Sequence, residues 1–502
     1  MAESAQTRDR RRDYSMFDAE LSGAVLNLKL LRRLLGWMRP YRITFATSAV
    51  LVVVASYLQV LLPVILSIVV IDHILMGTTE SATPDLGMVA ANDWIAVTLG
   101  VHPLIAACVL YGIIYLVFAV ISHAHRMTLV SSVINGLRDL RQDLFRHLET
   151  RPSSFYDRVA VGRVMTRVTN DVEALYELLR GIGTLVGEFV PFFVALGIML
   201  AVDVELTLLL LIALPIMGSV TYFFRQATRQ LFRLVRMSVS ALNQNMQENL
   251  AGLAVVQLSD RQQQNLERYT GINRENRAYE LKSARIETLY GAFTDSMAQV
   301  SLGVIIWYGG GEVVQSTMTL GGVILFTRFI DMLLQPIVAL GEQTNILFRA
   351  MASGERIFQA LDWDEKIHEP AHPVTLPERL AGEVRFEHLD FGYDEDVQIL
   401  DDVTFTIRPG EKLAIVGPTG SGKSTLIRLL GRFYDFDDGQ IFLDGIDLNH
   451  IHTHDLRQRI GVVLQDFHIF SGTIYDNIAL GNPRITRAKA EEAARRVNAH
   501  GF

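Results

Sequence analysis

The stretch GPTGSGKST, residues 417–425, has the residue types and spacing of a phosphate-binding loop. Gly417, Gly422, Lys423 and Ser424 fit the pattern G-x-x-x-x-G-K-[ST]. Glycines let backbone N–H groups close around phosphate oxygens, and the N-terminus of a following helix favours negative charge. The lysine reaches the β and γ phosphates and the serine binds Mg²⁺. The pattern therefore predicts a nucleoside triphosphate site formed by Gly417, Pro418, Thr419, Gly420, Ser421, Gly422, Lys423, Ser424 and Thr425.

Short segments on both sides of the loop predict the elements that hold it. LAIV, residues 413–416, has the composition of a strand, and TLIRLLGRF, residues 425–433, has apolar residues at helical spacing. A strand, the loop and a helix in this order are the context that the motif requires. Further strand-like runs come before them, so we predict an α/β nucleotide-binding domain over 381–502. The acidic, proline-containing stretch that precedes it predicts a linker over 346–380.

The chain before this linker is apolar enough to cross a membrane several times. Half of the 502 residues are apolar, and the mean hydropathy is +0.25. From Ile43 to Ile71 there are 29 residues without aspartate, glutamate, lysine or arginine, and such a helix exceeds the ~30 Å hydrocarbon core. A soluble protein with buried helices is the alternative, which uncharged runs of this length disfavour. We predict an α-helical transmembrane domain over 43–345 with six spans: 43–71, 103–122, 181–202, 206–224, 296–311 and 317–340.

Lysine and arginine are confined to alternate connections of the predicted spans. Nine precede the first span, nine lie in 123–180 and ten lie in 225–285, whereas 72–102, 203–205 and 312–316 contain none. Because positive residues mark cytoplasmic connections, this pattern predicts a multi-pass protein of the inner or plasma membrane. Both termini are then cytoplasmic.

The two basic connections also show helical spacing. In the first, Leu137, Leu140, Leu144 and Leu148 alternate with arginines. We therefore predict that membrane helices run on into the cytoplasm, where short turns join them. In the cytoplasmic N-terminus, residues 1–42, leucines alternate with basic residues before the first span. This pattern predicts an amphipathic helix on the inner membrane surface, or else the start of the first span.

Composition excludes two classes of function. The formal net charge of −8 gives no basis for a nucleic-acid partner. Cys108 is the only cysteine, so the 502 residues contain neither an intramolecular disulfide nor a cysteine-based metal cluster.

With these motifs the chain resembles the ATP-binding cassette (ABC) exporters, in particular bacterial multidrug and lipid exporters whose membrane and nucleotide domains share one polypeptide. Tyr393, in FGYDEDVQIL, is similar to the family's aromatic residue that stacks on adenine, although a tyrosine of the core is the alternative. Gln465, in IGVVLQDFHIFSGTIYDNI, resembles the glutamine that contacts Mg²⁺ and the attacking water. FYDRVAVGRVMTRVTNDVEAL (155–175) and ENLAGLAVVQLSDRQ (248–262) resemble the two cytoplasmic coupling segments.

The resemblance implies one subunit of an ATP-driven exporter that works with a second half-transporter, as a homodimer or a heterodimer. Its implied cargo is amphipathic small molecules, lipids or peptides. Its implied cofactors are ATP and Mg²⁺, with Ser424 and Gln465 as Mg²⁺ ligands and Gln465 positioning the catalytic water.

The 502 residues contain no counterpart of the family's signature segment, of the acidic strand that carries the catalytic glutamate, or of the switch histidine. The chain thus resembles a C-terminally truncated member with an incomplete nucleotide-binding domain. We predict an ATPase in the full-length form, and a 502-residue chain that binds ATP without hydrolysing it alone. The alternative is a non-hydrolysing membrane subunit that completes or regulates a partner.

Four charged residues fall in or near the predicted spans: Glu188, Asp295, Arg328 and Asp331. Charge inside a membrane is costly and usually faces a cavity or a partner. Arg328 and Asp331 are three residues apart, so they share a helix face and are close enough to pair. We predict that some of these residues line the substrate path, and structural pairs or positions outside the membrane are the alternative.

Overall fold

The computed structural model describes five stretches of the chain: 28–77, 84–393, 397–437, 439–463 and 467–501. These residues divide into two compact units. The first, here called the membrane unit, contains the described residues up to Arg151 together with Arg158–Asp364. The second, the nucleotide unit, contains Pro152–Asp157 and the chain from Glu365 onward.

The described residues up to Asp362 are almost entirely helical. Three π-helical segments, Ile65–Leu75, Arg167–Asp171 and Ile305–Gly309, continue or connect α-helices. The α-helices are α1 Leu28–Met38, α2 Arg42–Val64, α3 Met88–Leu99, α4 Pro103–Glu149, α5 Ser153–Arg158, α6 Val161–Thr166, α7 Val172–Val202, α8 Val204–Leu211, α9 Ala213–Ala251, α10 Leu253–Leu258, α11 Gln262–Val304, α12 Gly310–Val314 and α13 Leu320–Asp362.

The prediction of six spans is confirmed. Six helical runs among the described residues are long and apolar enough to cross a membrane: Lys29–Leu75, Pro103–Glu149, Val161–Val202, Val204–Ala251, Gln262–Val314 and Leu320–Asp362. Each has at least 42 residues, about twice the ~20 that a bilayer requires. Helices of this length confirm the predicted extensions beyond the apolar spans. The short helix α3, between the first two spans, was not predicted.

Apolar side chains at helical spacing form the core of the membrane unit. Along α13, Leu325, Phe326, Phe329 and Leu333 are fully buried, and they pack in one cluster with residues of α2, α7, α8 and the π segment Ile305–Gly309. This spacing follows the 3.6-residue period, so the sequence places one continuous apolar face of α13 against its neighbours.

A buried carboxylate joins the first and last spans. Asp72 is 1 % exposed, and its Oδ1 accepts a hydrogen bond of 2.8 Å from the backbone N–H of Gly321, in the first turn of α13. A Cβ at Gly321 would lie 2.1 Å from the backbone oxygen of Ser67 and 2.5 Å from the Asp72 carboxylate. Glycine is therefore required at 321, and the carboxylate oxygen accepts from one of the N–H groups that the first turn of a helix leaves unpaired.

The predicted amphipathic helix forms as α1, but its apolar side is covered by the chain itself. Leu30, Leu34 and Met38 are buried. Arg33 makes a bidentate contact of 2.5 Å with Asp362, and Trp37 stacks on Phe358 with ring centroids 5.7 Å apart. Packing on α13 thus replaces the predicted contact of this face with the membrane surface.

The nucleotide unit contains a small antiparallel sheet with strand order β2-β1-β3-β4. Phe386, Leu389, Leu429 and Ile441 belong to the apolar core between the sheet and α14. The elements are β1 Val384–Phe391, β2 Leu400–Ile407, α14 Lys423–Leu430, β3 Ile441–Leu443, β4 Ile446–Asp447, α15 Thr453–Arg459, α16 Ile474–Ala479 and α17 Arg487–Arg496.

Arg432, just after α14, is fully buried and ties several segments of this unit together. Its guanidinium donates to the backbone oxygens of Ile451, at 2.7 Å, and His368. Burial lowers the pKa of Arg432, and nearby carboxylates oppose this shift. Two backbone carbonyl oxygens thus accept hydrogen bonds from the guanidinium, whose charge would be costly to bury without partners.

The residues of the predicted linker belong to two different structures. Residues 346–362 are the end of α13, whereas those from Glu365 onward pack within the nucleotide unit. Leu376 lies in its core, and the backbone N–H of Val374 donates to His450 at 2.8 Å.

The strand predicted over 413–416 is wrong for the described chain. These residues carry no strand hydrogen bonds, and Leu413, Ile415 and Val416 are 47 %, 38 % and 86 % exposed. A strand exists only when a neighbour pairs with its backbone. No strand pairs with this segment in the described part of the nucleotide unit.

Candidate nucleotide-binding site

The phosphate-binding pattern forms a loop that leads directly into α14. Gly420 and Gly422 have φ angles of 90° and 83°, a region that side chains other than glycine rarely adopt. A Cβ at Gly422 would also lie 2.5 Å from the buried side chain of Leu400. The loop therefore needs glycine at 422 for its backbone conformation and for its close packing on β2.

The first turn of α14 leaves its backbone donors available. Gly422 is the N-cap residue, and no side chain caps the helix. The unpaired N–H groups and the helix dipole favour an anion at this position. The sequence and the backbone thus agree on a phosphate site.

Lys423 lies over the loop. Its Nζ donates to the backbone oxygens of Gly417 at 2.9 Å and Pro418 at 2.7 Å. Since carbonyl oxygens are weaker partners for an ammonium than phosphate oxygens, a bound nucleotide would compete for this group. Ser424, the predicted Mg²⁺ ligand, is exposed at the next position.

Tyr393 lies beside the start of the same helix. Its hydroxyl is 3.2 Å from Thr425 Oγ1, and its ring packs edge-to-face against Phe391, with centroids 5.2 Å apart. The side chain is partly exposed. The structure thus brings Tyr393 to the predicted phosphate loop, and adenine stacking stays a prediction.

Tyr434 links this group to a distant part of the chain. Its ring packs edge-to-face on Tyr393 with centroids 5.0 Å apart, and its hydroxyl donates a short hydrogen bond to Asp157 Oδ2. Burial and this hydrogen bond raise the pKa of Tyr434. The phenol therefore stays protonated and remains a donor at any physiological pH. Neither Tyr434 nor Asp157 was singled out in the sequence, because the two residues are 277 positions apart.

Gln465 lies outside the described residues. Its predicted contacts with Mg²⁺ and water stay predictions.

The predicted charged residues of the membrane unit do not come together as expected. Arg328 and Asp331 are both exposed, and no ion pair joins them in the described structure. They share a helix face, but each side chain points away from the packed helices. Asp295 is exposed and Glu188 is half-buried.

Arg225 is a charged residue of the membrane unit that the sequence analysis missed. Its Nε and Nη1 are buried and have no hydrogen-bond partner among the described residues. Phe224 stacks on Tyr290 beside it, with centroids 4.1 Å apart. Arg225 directly follows the predicted span 206–224, so the charge pattern assigned it to a basic connection.

Comparison with known protein families matches both units. The family model described as ABC transporter transmembrane region matches residues 45–337, and the one described as ABC transporter matches residues 400–502. The first match alone covers more than half of the chain.

Individual relatives agree with these families. An uncharacterized ABC transporter ATP-binding protein, YknV of Bacillus subtilis, is 31 % identical over 472 residues, which are 94 % of this chain and 74 % of the relative. A Mycobacterium bovis protein named fatty acid ABC transporter ATP-binding/permease protein is 32 % identical over 78 % of this chain and 61 % of its own length.

A probable multidrug resistance ABC transporter ATP-binding/permease protein of Bacillus subtilis, YheH, is 28 % identical over 78 % of this chain and 58 % of its own length. Six helices able to span a membrane and a phosphate loop on one polypeptide fit these relatives. The chain therefore belongs to the ABC transporter family, as a bacterial exporter-type half-transporter.

Proposed function

We propose that this chain forms one half of a dimeric exporter, binds Mg²⁺–ATP at residues 417–425, and moves amphipathic molecules out across the cell membrane. Lys423 would bind the β and γ phosphates, Ser424 and Gln465 the Mg²⁺ ion, and Tyr393 the adenine. A second half-transporter, identical or different, would contribute the remaining groups of each ATP site. ATP drives the cycle only if it binds the closed dimer better than the open one.

The observation that carries this proposal is the uncapped start of α14 beneath Lys423, on a chain that also contains six candidate spans. The first feature binds phosphate and the second supplies a path through a bilayer. The absence of basic residues from alternate connections supports cytoplasmic termini, which place the ATP site on the side where ATP is available.

The cargo is proposed from the relatives and from the membrane charges. Relatives are named for fatty acids and for multidrug resistance, and both names fit amphipathic molecules. Glu188, Asp295, Arg328 and Asp331 are proposed to face the path. Exposure of three of them on a single subunit is consistent with a cavity shared between two subunits.

We further propose that the 502 residues alone bind ATP but do not complete a hydrolytic site. The support for this proposal is that the 502 residues contain no counterpart of the acidic strand whose glutamate acts as general base in the resembled family.

Photolabelling with an azido-ATP analogue in membranes tests the ATP site. We expect Lys423→Ala to reduce labelling about tenfold or more, since an ammonium–phosphate contact is strong in a site screened from water. Lys412→Ala, at an exposed lysine outside the loop pattern, should label like the wild type. Equal labelling of both variants would refute the assignment, and ATP turnover by the isolated chain that Lys423→Ala abolishes would refute the claim that it is incomplete.

A further inference from the structure

Arg225 lies in α9, directly after the predicted span 206–224, and its guanidinium lacks acceptors. Its Nε and Nη1 are buried, and the described residues offer neither of them a hydrogen bond. A buried donor without an acceptor is costly, and more so on a charged group. Glu342 interacts with it electrostatically but is exposed and forms no ion pair with it in the described structure. The described residues thus leave this guanidinium without an anionic partner.

The packing around Arg225 holds the guanidinium in place without supplying a counter-charge. A Cβ at Gly341 of α13 would lie 2.9 Å from Arg225 Nη2 and 3.0 Å from Thr221 Cγ2, so glycine at 341 leaves the space that the guanidinium occupies. Thr221 Oγ1 is 3.0 Å from the hydroxyl of Tyr290, whose ring stacks on Phe224. Arg225 as a whole is half-buried, so a ligand can reach it from one side. An anion bound there would neutralise a charge that is delocalised over the whole group.

The surface of α9 around Arg225 is basic on one side and apolar on the other. Three exposed arginines continue its helix face at intervals of four, four and three residues: Arg229, Arg233 and Arg236. Residues 213–247 contain no aspartate or glutamate. Toward the span, Tyr222 lies one turn away on the same face and is 65 % exposed. Because basic residues next to a span attract anionic head groups and an exposed ring offers apolar surface, this region suits an amphipathic anion.

We propose that Arg225 binds the anionic head, a carboxylate or a phosphate, of an amphipathic molecule whose apolar chain lies along the span beside Tyr222. This inference deepens the proposed function and rests on it, because it names the class of molecule that meets the chain at this end of the span. A guanidinium binds both kinds of head through charge-assisted hydrogen bonds. A fatty acid in transit and an anionic phospholipid of the membrane share this chemistry, and the experiment separates them.

Photocrosslinking measures binding at Arg225. The probe is a diazirine-bearing palmitic acid, added to the full chain, with any second half-transporter that copurifies, in nanodiscs of phosphatidylcholine. We expect Arg225→Gln to reduce crosslinking to the chain about fivefold or more, because the charge-assisted contact is lost. Arg236→Gln removes the same charge from the same face about three turns further from the span. It should stay within about twofold of the wild type, because an exposed charge contributes little.

Competition by unlabelled ligands shows whether the head is recognised. In the wild type, palmitate should displace the probe at a concentration about fivefold or more below that of its methyl ester, which has the same chain without the charge. In Arg225→Gln the two competitors should be equal. Mass spectrometry of the wild type should place the crosslink within residues 215–229 or on the facing part of α13. These wild-type measurements test the proposal even where Arg225→Gln does not fold.

Two further measurements identify the source of the anion. Displacement of the probe by added phosphatidylglycerol, with fatty-acid uptake into inverted vesicles that persists in Arg225→Gln, would assign a membrane lipid. Loss of that ATP-dependent uptake in Arg225→Gln would assign exported cargo.

Equal crosslinking of Arg225→Gln and Arg236→Gln would overturn this inference and leave the proposed function intact. Displacement by palmitate and by its methyl ester at the same concentration would do the same. A wild type that takes up neither a fatty acid nor a lipophilic dye with ATP would instead overturn the proposed function, and with it the link to export.

Discussion

The membrane unit and the nucleotide unit differ in how their backbone groups are satisfied. In the membrane unit, helices such as α4 and α13 bond their backbone N–H groups within the same segment, apart from those of the first turn. In the described part of the nucleotide unit, only β1 to β4 pair with one another, and 412–416 lies outside any strand and is exposed. Strands depend on partners that lie far away in sequence, whereas helices do not.

The same difference explains what could be predicted. The six spans follow from uncharged runs and helical spacing, which are local properties. The loop at 417–425 follows from a local motif. The strand at 413–416, in contrast, has the right composition but no partner in the described chain. The hydrogen bond between Tyr434 and Asp157 joins two segments that are distant in sequence, and no pattern in the sequence predicts it.

Charged pairs give a second lesson. The spacing of Arg328 and Asp331 places them on one face of α13, but spacing does not decide where each side chain points. The contact that does form, from Asp72 to Gly321, joins residues 249 positions apart. This contact requires glycine at 321, because Ser67 and Asp72 leave no space for a Cβ there. The sequence alone does not show that these residues are neighbours.

The largest effect is expected where two segments of the membrane unit meet at Gly321. In Gly321→Ala the new Cβ overlaps the backbone oxygen of Ser67, which cannot rotate away, and strains the hydrogen bond that the residue 321 N–H donates to Asp72. We expect a loss of about 2–4 kcal/mol, in the upper range for overpacking. Thermal aggregation in detergent should show a midpoint several degrees lower.

The control is Gly311→Ala, also in the membrane unit, where a Cβ meets nothing within 4 Å. It should be neutral or stabilise by about 0.5–1 kcal/mol, because alanine is the better helix former. Equal midpoints for the two variants would show that the close approach at 321 does not matter.

A smaller effect is expected at Gly422 in the nucleotide unit. Gly422→Ala combines a positive φ with contact on Leu400, whose side chain has some freedom to move, so we expect a cost of about 2–3 kcal/mol. Gly410→Ala, with φ 78° and open space around it, should cost only about 1 kcal/mol from its backbone conformation. Thermal midpoints and azido-ATP labelling of the two variants would measure the difference in stability and in nucleotide binding. Identical values for Gly422→Ala and Gly410→Ala would contradict the close packing of Gly422 on β2.

Exposed charges should matter little for stability. Arg328→Gln and Asp331→Asn should each change stability by less than about 0.5 kcal/mol, as surface substitutions usually do. A double-mutant cycle on the thermal midpoint should show no coupling between them. A coupling free energy of about 1 kcal/mol or more would show that the two side chains form an ion pair.

The smallest effect is a pH dependence in the nucleotide unit. The hydrogen bond to Asp402 raises the pKa of His388. Its stabilisation is therefore fully present below the unfolded pKa of about 6.5 and is lost as pH rises through the folded value. Both side chains are exposed, so the shift should be slight and should shrink with salt. Thermal midpoints at pH 5.5 and 8.5 should differ less in Asp402→Asn than in the wild type, and an equal difference would contradict the assignment.

The central claim is that ATP bound at 417–425 in one unit drives movement of an amphipathic molecule through the other. The most direct test is uptake of a fluorescent fatty acid, and separately of a lipophilic dye, into inverted membrane vesicles. The vesicles would contain the chain together with any second half-transporter that copurifies with it. The account predicts ATP-dependent uptake that Lys423→Ala abolishes and Lys412→Ala preserves. Uptake that continues unchanged in Lys423→Ala, or that proceeds without ATP, would contradict it.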